Sequence, residues 1–261
     1  MSDLLRLTTV QSTLHWEQIA ANLAQFDQQL SGLEGKTDLV VLPEMFTTGF
    51  SMNAAALAES MEGPTVDWLR KKARAIGAVV TGSFIAKEDH RYYNRLVWMQ
   101  PDGQYQYYDK KHLFTLADEH LTYTAGQKRL LVEWKGWTIC PLICYDLRFP
   151  VWSRNTEDYD LLIYIANFPE RRNHAWKSLL IARAIENQVF TVGVNRVGRD
   201  GKDISYSGDT ALIDYLGNIR YQISQQNALA THHLSRQELR DARDRFRFLA
   251  DRDPFNLPGI G

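Results

Sequence analysis

Residues 38–46 read DLVVLPEMF, a short apolar run entered from an aspartate and left through a proline and a glutamate. A continuous apolar stretch of this length, bounded by polar residues, fits a strand covered on both faces. A sheet covered on both faces needs further layers, and the flanking sequence supplies them. Upstream, residues 5–9 alternate like a strand, and Trp16, Ile19, Leu23, Phe26 and Leu30 recur at spacings of three and four, the mark of an amphipathic helix. Downstream, Pro64 and Gly77 bracket a second helix, PTVDWLRKKARAIG.

The middle of the chain reads as hairpins. AVVTGSFIA and NRLVWMQ are strands followed by the turn Pro101-Asp102-Gly103, and RLLVEW and WTICPLICY join at Lys135-Gly136. A helix after Pro150 leads to the strand DLLIYIANF, a long helix HAWKSLLIARAIENQ and the strand VFTVGVN. Two more strands flank the turn at Leu216-Gly217-Asn218. Ser235 and Glu238 form a capping box for a last helix, RQELRDARDRF. Helices alternate with strands at both ends while paired strands crowd the middle. The expected fold class is α/β, a four-layer α-β-β-α sandwich in one domain over residues 1–261, with residues 251–261 as a tail that packs on a neighbour or moves.

Bulk properties narrow the function. A chain of 261 residues with Lys+Arg 30 against Asp+Glu 31 has no global field to attract nucleic acid or an anionic membrane. The start MSDLLRLTTV lacks the layout of a signal peptide, and no apolar run reaches membrane-spanning length. The two cysteines, Cys140 and Cys144, sit too far apart on an extended strand to bridge easily. These features predict a reduced, cytoplasmic protein without nucleic-acid or membrane partners.

Three segments carry the chemistry: LPEMF around Glu44, YDKKHLF around Lys110, and ICYDLRFP around Cys144. Each sets one reactive side chain at or just past the end of a strand-like run. In alternating α/β proteins ligands bind beyond the carboxyl ends of strands, so the three can converge. A thiol, an ammonium and a carboxylate form a working set for acyl transfer: nucleophile, fixed positive charge and general base. Read singly, each has a plainer explanation. Free cysteines are among the most buried residues, a reading that suits Cys140, and a lysine pair such as Lys110-Lys111 is commonly a solvated edge.

Taken together and in order, the segments resemble the nitrilase superfamily, the carbon–nitrogen hydrolases. Its pattern has a Glu after an apolar strand, a Lys two residues before an HLF-like tripeptide, and a Cys in a CYDxRF-like elbow, matched here by Glu44, Lys110 and Cys144. ENQ at 186–188, NRVG at 195–198 and SGDTALIDYLGN extend the likeness over nearly the whole chain. The resemblance also implies a second glutamate seven residues before a glycine, which is Glu119 before Gly126. It implies the same α-β-β-α fold, association into a homodimer through an outer helical layer, no cofactor and no metal. The implied reaction is attack of Cys144 on an amide, with the oxyanion held by Lys110 and the Tyr145 N–H. Glu44 moves the proton and Glu119 orients its neighbours.

ICYDLRFP, ADEHLTYTAG and ANFPERRNHAW look most like the bacterial ω-amidases of the YafV type, which implies 2-oxoglutaramate or 2-oxosuccinamate as the small-molecule amide substrate. The remote carboxylate of such a substrate calls for a cation, with Arg148, Arg171 and Arg172 as candidates. Phe46, Phe114, Phe168 and Trp176 are candidate pocket walls, and residues 116–123 a candidate lid. Three other readings stand beside this one: a zinc site from Cys140, Cys144, His112 and His120; a binding protein that retains the fold without turnover; and another amidase or a nitrilase of the same superfamily.

Overall fold

Alternation along the strands assigns each side chain to a layer. The computed structural model describes residues 3–256. In chain order its strands are β1 (Leu4–Gln11), β2 (Leu39–Val41), β3 (Val79–Glu88), β4 (Arg91–Met99), β5 (Tyr105–Asp109), β6 (Val132–Trp134), β7 (Trp137–Ile143), β8 (Leu161–Ala166), β9 (Phe190–Asn195), β10 (Val197–Arg199), β11 (Ser205–Ile213), β12 (Ile219–Ser224) and β13 (Ala228–Ser235). One sheet runs β13-β1-β2-β3-β4-β5 and the other β10-β11-β9-β8-β7-β6, with β12 on β11. β1, β2 and β3 are mutually parallel, as are β7, β8 and β9.

In the first sheet Leu39, Val41, Val79, Leu96 and Trp98 join one core cluster with β7, β8 and β9, which places them between the sheets. Their alternates Val40, Val80, Val97 and Met99 pack outward on Phe26, Leu30, Val66, Leu69 and Ala73 from the helices Ile19–Gln29 and Pro64–Ile76. The helix Asn173–Asn187 covers the second sheet through Trp176, Leu180 and Ala184. Gly193 permits that approach, since a Cβ there would stand 2.5 Å from Leu180 and 2.7 Å from Trp176. The result is an α-β-β-α sandwich, and the strand DLVVLP is covered on both faces as its sequence demands.

Several boundaries moved. The first helix begins at Ile19 because Glu17 adopts φ 56, a conformation that breaks the helix before Trp16 can join it. Trp16 instead lies across Gly201 and Gly49. The expected helix after Pro150 is a single turn, Pro150–Ser153. β13 was not anticipated: its Thr231, His232 and His233 blur the apolar alternation, yet it pairs antiparallel with β1 along its whole length. Ser235 caps the last helix, Arg236–Arg245, by accepting from the Glu238 N–H at 3.3 Å. Residues 257–261 of the expected tail lie outside the described residues. Among the described residues no helix is long and apolar enough to cross a membrane.

Candidate active site

The ends of β2, β5, β7 and β8 meet at one edge of the sandwich, and each is bent there by local backbone chemistry. Past β2, Met45 takes φ 43 and the Glu44 carbonyl accepts from Asn167 Nδ2 at 2.6 Å, which turns the Glu44 carboxylate inward. Past β5, the Lys110 N–H donates to the Asn94 carbonyl at 3.0 Å and its own carbonyl accepts from Gly126 at 2.9 Å. Only glycine fits at 126, because a Cβ would stand 2.0 Å from the Asp109 carbonyl oxygen. Past β7, Cys144 opens the short helical turn Cys144–Arg148 with φ 45. A non-glycine residue there is strained, and such strain concentrates at functional positions.

The elbow is pinned by Asp146. Its buried carboxylate accepts from the Ile143 N–H at 3.1 Å, the His112 N–H at 3.0 Å and the Tyr108 hydroxyl at 2.7 Å. One side chain thus ties the turn that carries Cys144 to the segment that carries Lys110. His112 adds its ring at 2.8 Å and stacks on Phe149, with ring centroids 3.7 Å apart.

Glu44, Lys110 and Glu119 form a sealed cluster, each 0% exposed. Lys110 Nζ donates to Glu44 Oε1 at 2.9 Å and to both Glu119 oxygens at 3.0 Å. Asn94 Nδ2 donates to Glu44 Oε1 at 2.8 Å and the Asn167 N–H to Glu44 Oε2 at 2.7 Å. The Phe114 N–H donates to Glu119 at 2.5 Å. Burial alone would lower the Lys110 ammonium, but Glu119, Glu44 and the Cys144 sulfur outweigh it and hold it above the ordinary lysine range. Burial pushes Glu119 up, with Lys110 opposing and Glu44 adding. Burial also pushes the Cys144 thiol up, the Glu44 charge reinforces this, and Lys110 opposes it. The surroundings of the sulfur therefore favour the thiol over the thiolate, with Glu44 and the Lys110 ammonium beside it.

A cavity opens over Cys144 and Lys110. Tyr145, Phe114, Phe168, Arg148, Arg171 and Arg172 line it, as the sequence reading expects. Phe46 and Trp176 do not, and both readings are corrected. Phe46 is turned by Met45 into the outer layer, where it packs edge-on to Phe26 at 5.6 Å. Trp176 sits fully buried behind Phe168, with its indole N–H on the Asp209 carbonyl at 2.9 Å. The aromatic that does face the lysine is Phe50, its ring 5.1 Å from Lys110 Nζ. The sequence reading also missed Asn94, Asn167, Asp146 and Tyr206. Asn167 stands in the quoted segment ANFPERRNHAW and was legible as a polar residue at the end of an apolar strand.

The alternative zinc set does not assemble. Cys140 is buried within β7, His112 is engaged by Asp146, and among the described residues no group of three or more His, Cys, Asp or Glu side chains is placed to hold a metal. In the proposed lid region, Glu119 and Tyr123 are buried and the Tyr123 hydroxyl donates to the Ser51 carbonyl at 2.5 Å, whereas Leu116 is exposed at the cavity mouth.

Known proteins share this architecture. A family model described as carbon-nitrogen hydrolase matches residues 6–244. The chain is 46% identical over 254 residues to the ω-amidase YafV of Escherichia coli K12, covering 97% of this chain and 98% of that protein. It is 36% identical over 212 residues to the 2-oxoglutaramate amidase of Bacillus subtilis, covering 79% and 82%. The crystal structure of a CN-hydrolase superfamily protein from Xanthomonas campestris, with an arsenic adduct in its active site, superposes with a TM-score of 0.96 at 48% identity. That match covers 98% of this chain and 100% of the other.

Proposed function

The chain belongs to the carbon–nitrogen hydrolase family, and from that premise we propose that it is a cysteine-dependent ω-amidase. It hydrolyses 2-oxoglutaramate, and 2-oxosuccinamate with it, to the 2-oxo dicarboxylate and ammonia. The observation that carries this reading is the charge pattern of the cavity. Cys144 lies on its floor, while Arg148, Arg171 and Arg172 line its walls and make no ion pair among the described residues. Arg172 lies over the Phe114 ring at 4.8 Å and is held there without a carboxylate. A substrate with an amide at one end and a carboxylate at the other satisfies both.

In the proposed reaction Glu44 takes the Cys144 proton as sulfur attacks the amide carbon. The oxyanion forms against Lys110 Nζ and the N–H of Tyr145, which lies in the first turn of a helical segment and has no intrahelical partner there. The C–N bond breaks as Glu44 returns the proton to nitrogen, so ammonia leaves and a Cys144 thioester remains. Glu44 next takes a proton from water, hydroxide attacks the thioester carbon, and the acid departs as the thiol is restored. Glu119 fixes Lys110 through both oxygens, which keeps the ammonium on the side where the oxyanion forms.

Ammonia release from 2-oxoglutaramate by purified protein tests the reading, with an uncharged short amide for comparison. Rapid release from the keto acid alone is expected. No release, or equal rates for the two, would overturn it and favour another amidase or a nitrilase of the family. We also propose one catalytic domain, a cytoplasmic location and a homodimer through the outer helical layer. Val151 and Ile185, each 50% exposed, and Phe248, 62% exposed, support a covered surface there. Sedimentation at micromolar concentration reads the oligomer directly.

A further inference from the structure

We infer that Asn167 is the residue that recognises the leaving nitrogen, so that the amide selectivity of the site resides in its side-chain oxygen. The inference rests on the amidase reading above. β7 and β8 run parallel with Ile143 beside Ile165, so Cys144 stands one residue past that pair on one strand and Asn167 two residues past it on the other. Asn167 lines the same cavity as Cys144 and Lys110 and is 4% exposed.

Its hydrogen bonds settle which way the carboxamide faces. Nδ2 donates to the Glu44 carbonyl, an acceptor only, so that end must be the NH₂. The backbone N–H is also spent on Glu44, at Oε2. Oδ1 is left buried and makes no hydrogen bond among the described residues. A buried carbonyl oxygen without a donor is destabilising and uncommon, and at a reaction site it marks a place for a ligand donor. Neither neighbouring donor is directed at it: Lys110 Nζ is turned to Glu44 and Glu119, and Asn94 Nδ2 to Glu44 Oε1.

The chemical demand on this position is specific. A primary amide has two N–H hydrogens and must present its nitrogen to Glu44 for protonation as the C–N bond breaks. With one N–H held on Asn167 Oδ1, the nitrogen sits next to the Glu44 oxygen to which the Asn167 backbone already donates. An ester has no N–H to offer, and neither does a nitrile. Asn167 thus joins the proton carrier and the leaving group through one side chain, which explains why its other two polar groups are locked on Glu44.

The test compares kcat/KM for 2-oxoglutaramate and for the ω-methyl ester of 2-oxoglutarate, which form the same Cys144 thioester. In Asn167→Ala the amide should lose about tenfold or more relative to the ester, the worth of one hydrogen bond to the departing group. Asn167→Asp keeps an acceptor oxygen, so its amide-to-ester ratio should stay near that of the unaltered protein even where both rates fall. A residue that only props Glu44 would change the amide-to-ester ratio alike in both variants, since each loses the donor to the Glu44 carbonyl. Equal losses in Asn167→Ala, or a collapsed ratio in Asn167→Asp, would overturn the inference alone. Absence of ammonia release by the unaltered protein would overturn the amidase reading and this inference with it.

Discussion

β2 and β8 each carry a charged or amide group at both ends, and the two ends obey opposite rules. Before β2, Asp38 receives Arg6 at 2.8 Å and also Lys135; before β8, Asp160 receives Arg236 at 2.9 Å and Arg243 at 3.2 Å. Each carboxylate has two cations whose arms reach solvent. After β2 and β8, Glu44 and Asn167 enter a cluster in which two carboxylates share one ammonium and none touches water. Burial alone would raise Asp38, but Arg6 and Lys135 hold it below the usual carboxylate range, whereas burial raises Glu119 despite Lys110. At the amino ends each carboxylate is outnumbered by cations whose excess charge solvent screens. The carboxyl ends keep unbalanced charge, which is stabilised less well at rest and is available to a transition state.

The contrast can be broken at its sharpest point first. Cys144→Ala should abolish ammonia release while circular dichroism and melting temperature stay close to those of the unaltered protein; residual turnover above background would remove Cys144 from the chemistry. Lys110→Met should lower turnover by at least about 10². It should also cost roughly 3–5 kcal/mol in urea melts, because two buried carboxylates lose the ammonium they share. A stable, active Lys110→Met chain would refute the sealed-cluster account.

Glu119→Gln separates the two roles of the cluster. Turnover should fall by up to about 10², since Lys110 loses an anchor. Stability at neutral pH should hold, because a carboxyl with a raised pKa is already resisted by the fold when ionised. At the other end of the strand, Asp38→Asn should leave kcat/KM unchanged and cost about 1 kcal/mol, because Asp38 is buried but the arms of Arg6 and Lys135 reach solvent. Its pH signature follows from the depressed pKa. The stabilisation is present above the unfolded carboxylate value near ~4 and is lost as pH falls through the lower folded value. Acid melts of Asp38→Asn should lack that component. The smallest effect is expected at Cys140, whose thiol burial pushes up to about 12. Iodoacetamide should label Cys144 and spare Cys140 in the native protein by mass spectrometry, and Cys140→Ala should retain full activity.

Much of this was legible along the chain because strand and helix periods are local properties. Leu39 through Leu42 announce a doubly covered strand, and Pro64 with Gly77 announces a helix. Glu44, Lys110 and Cys144 were readable at strand ends and Glu119 through the family resemblance, and three-dimensional folding brings all four together. The aromatic walls were read less well. Phe46 and Phe50 are equivalent candidates in sequence, yet the positive φ of Met45 and Gly49 sends one into the outer core and the other over Lys110.

The sequence by itself determined the layer pattern, the reactive side chains and their order, since each depends on a few adjacent residues. The tertiary structure alone decided how those side chains are held. Asn94, Asn167 and Asp146 act across separations of 50, 123 and 38 residues, on Glu44 from the first two and on Tyr108 from the third. Such contacts carry no periodic signature, because a polar residue at a strand end looks the same in sequence whether it meets water or a buried carboxylate. Only the stacking of two sheets, which removes the water, makes the partner obligatory.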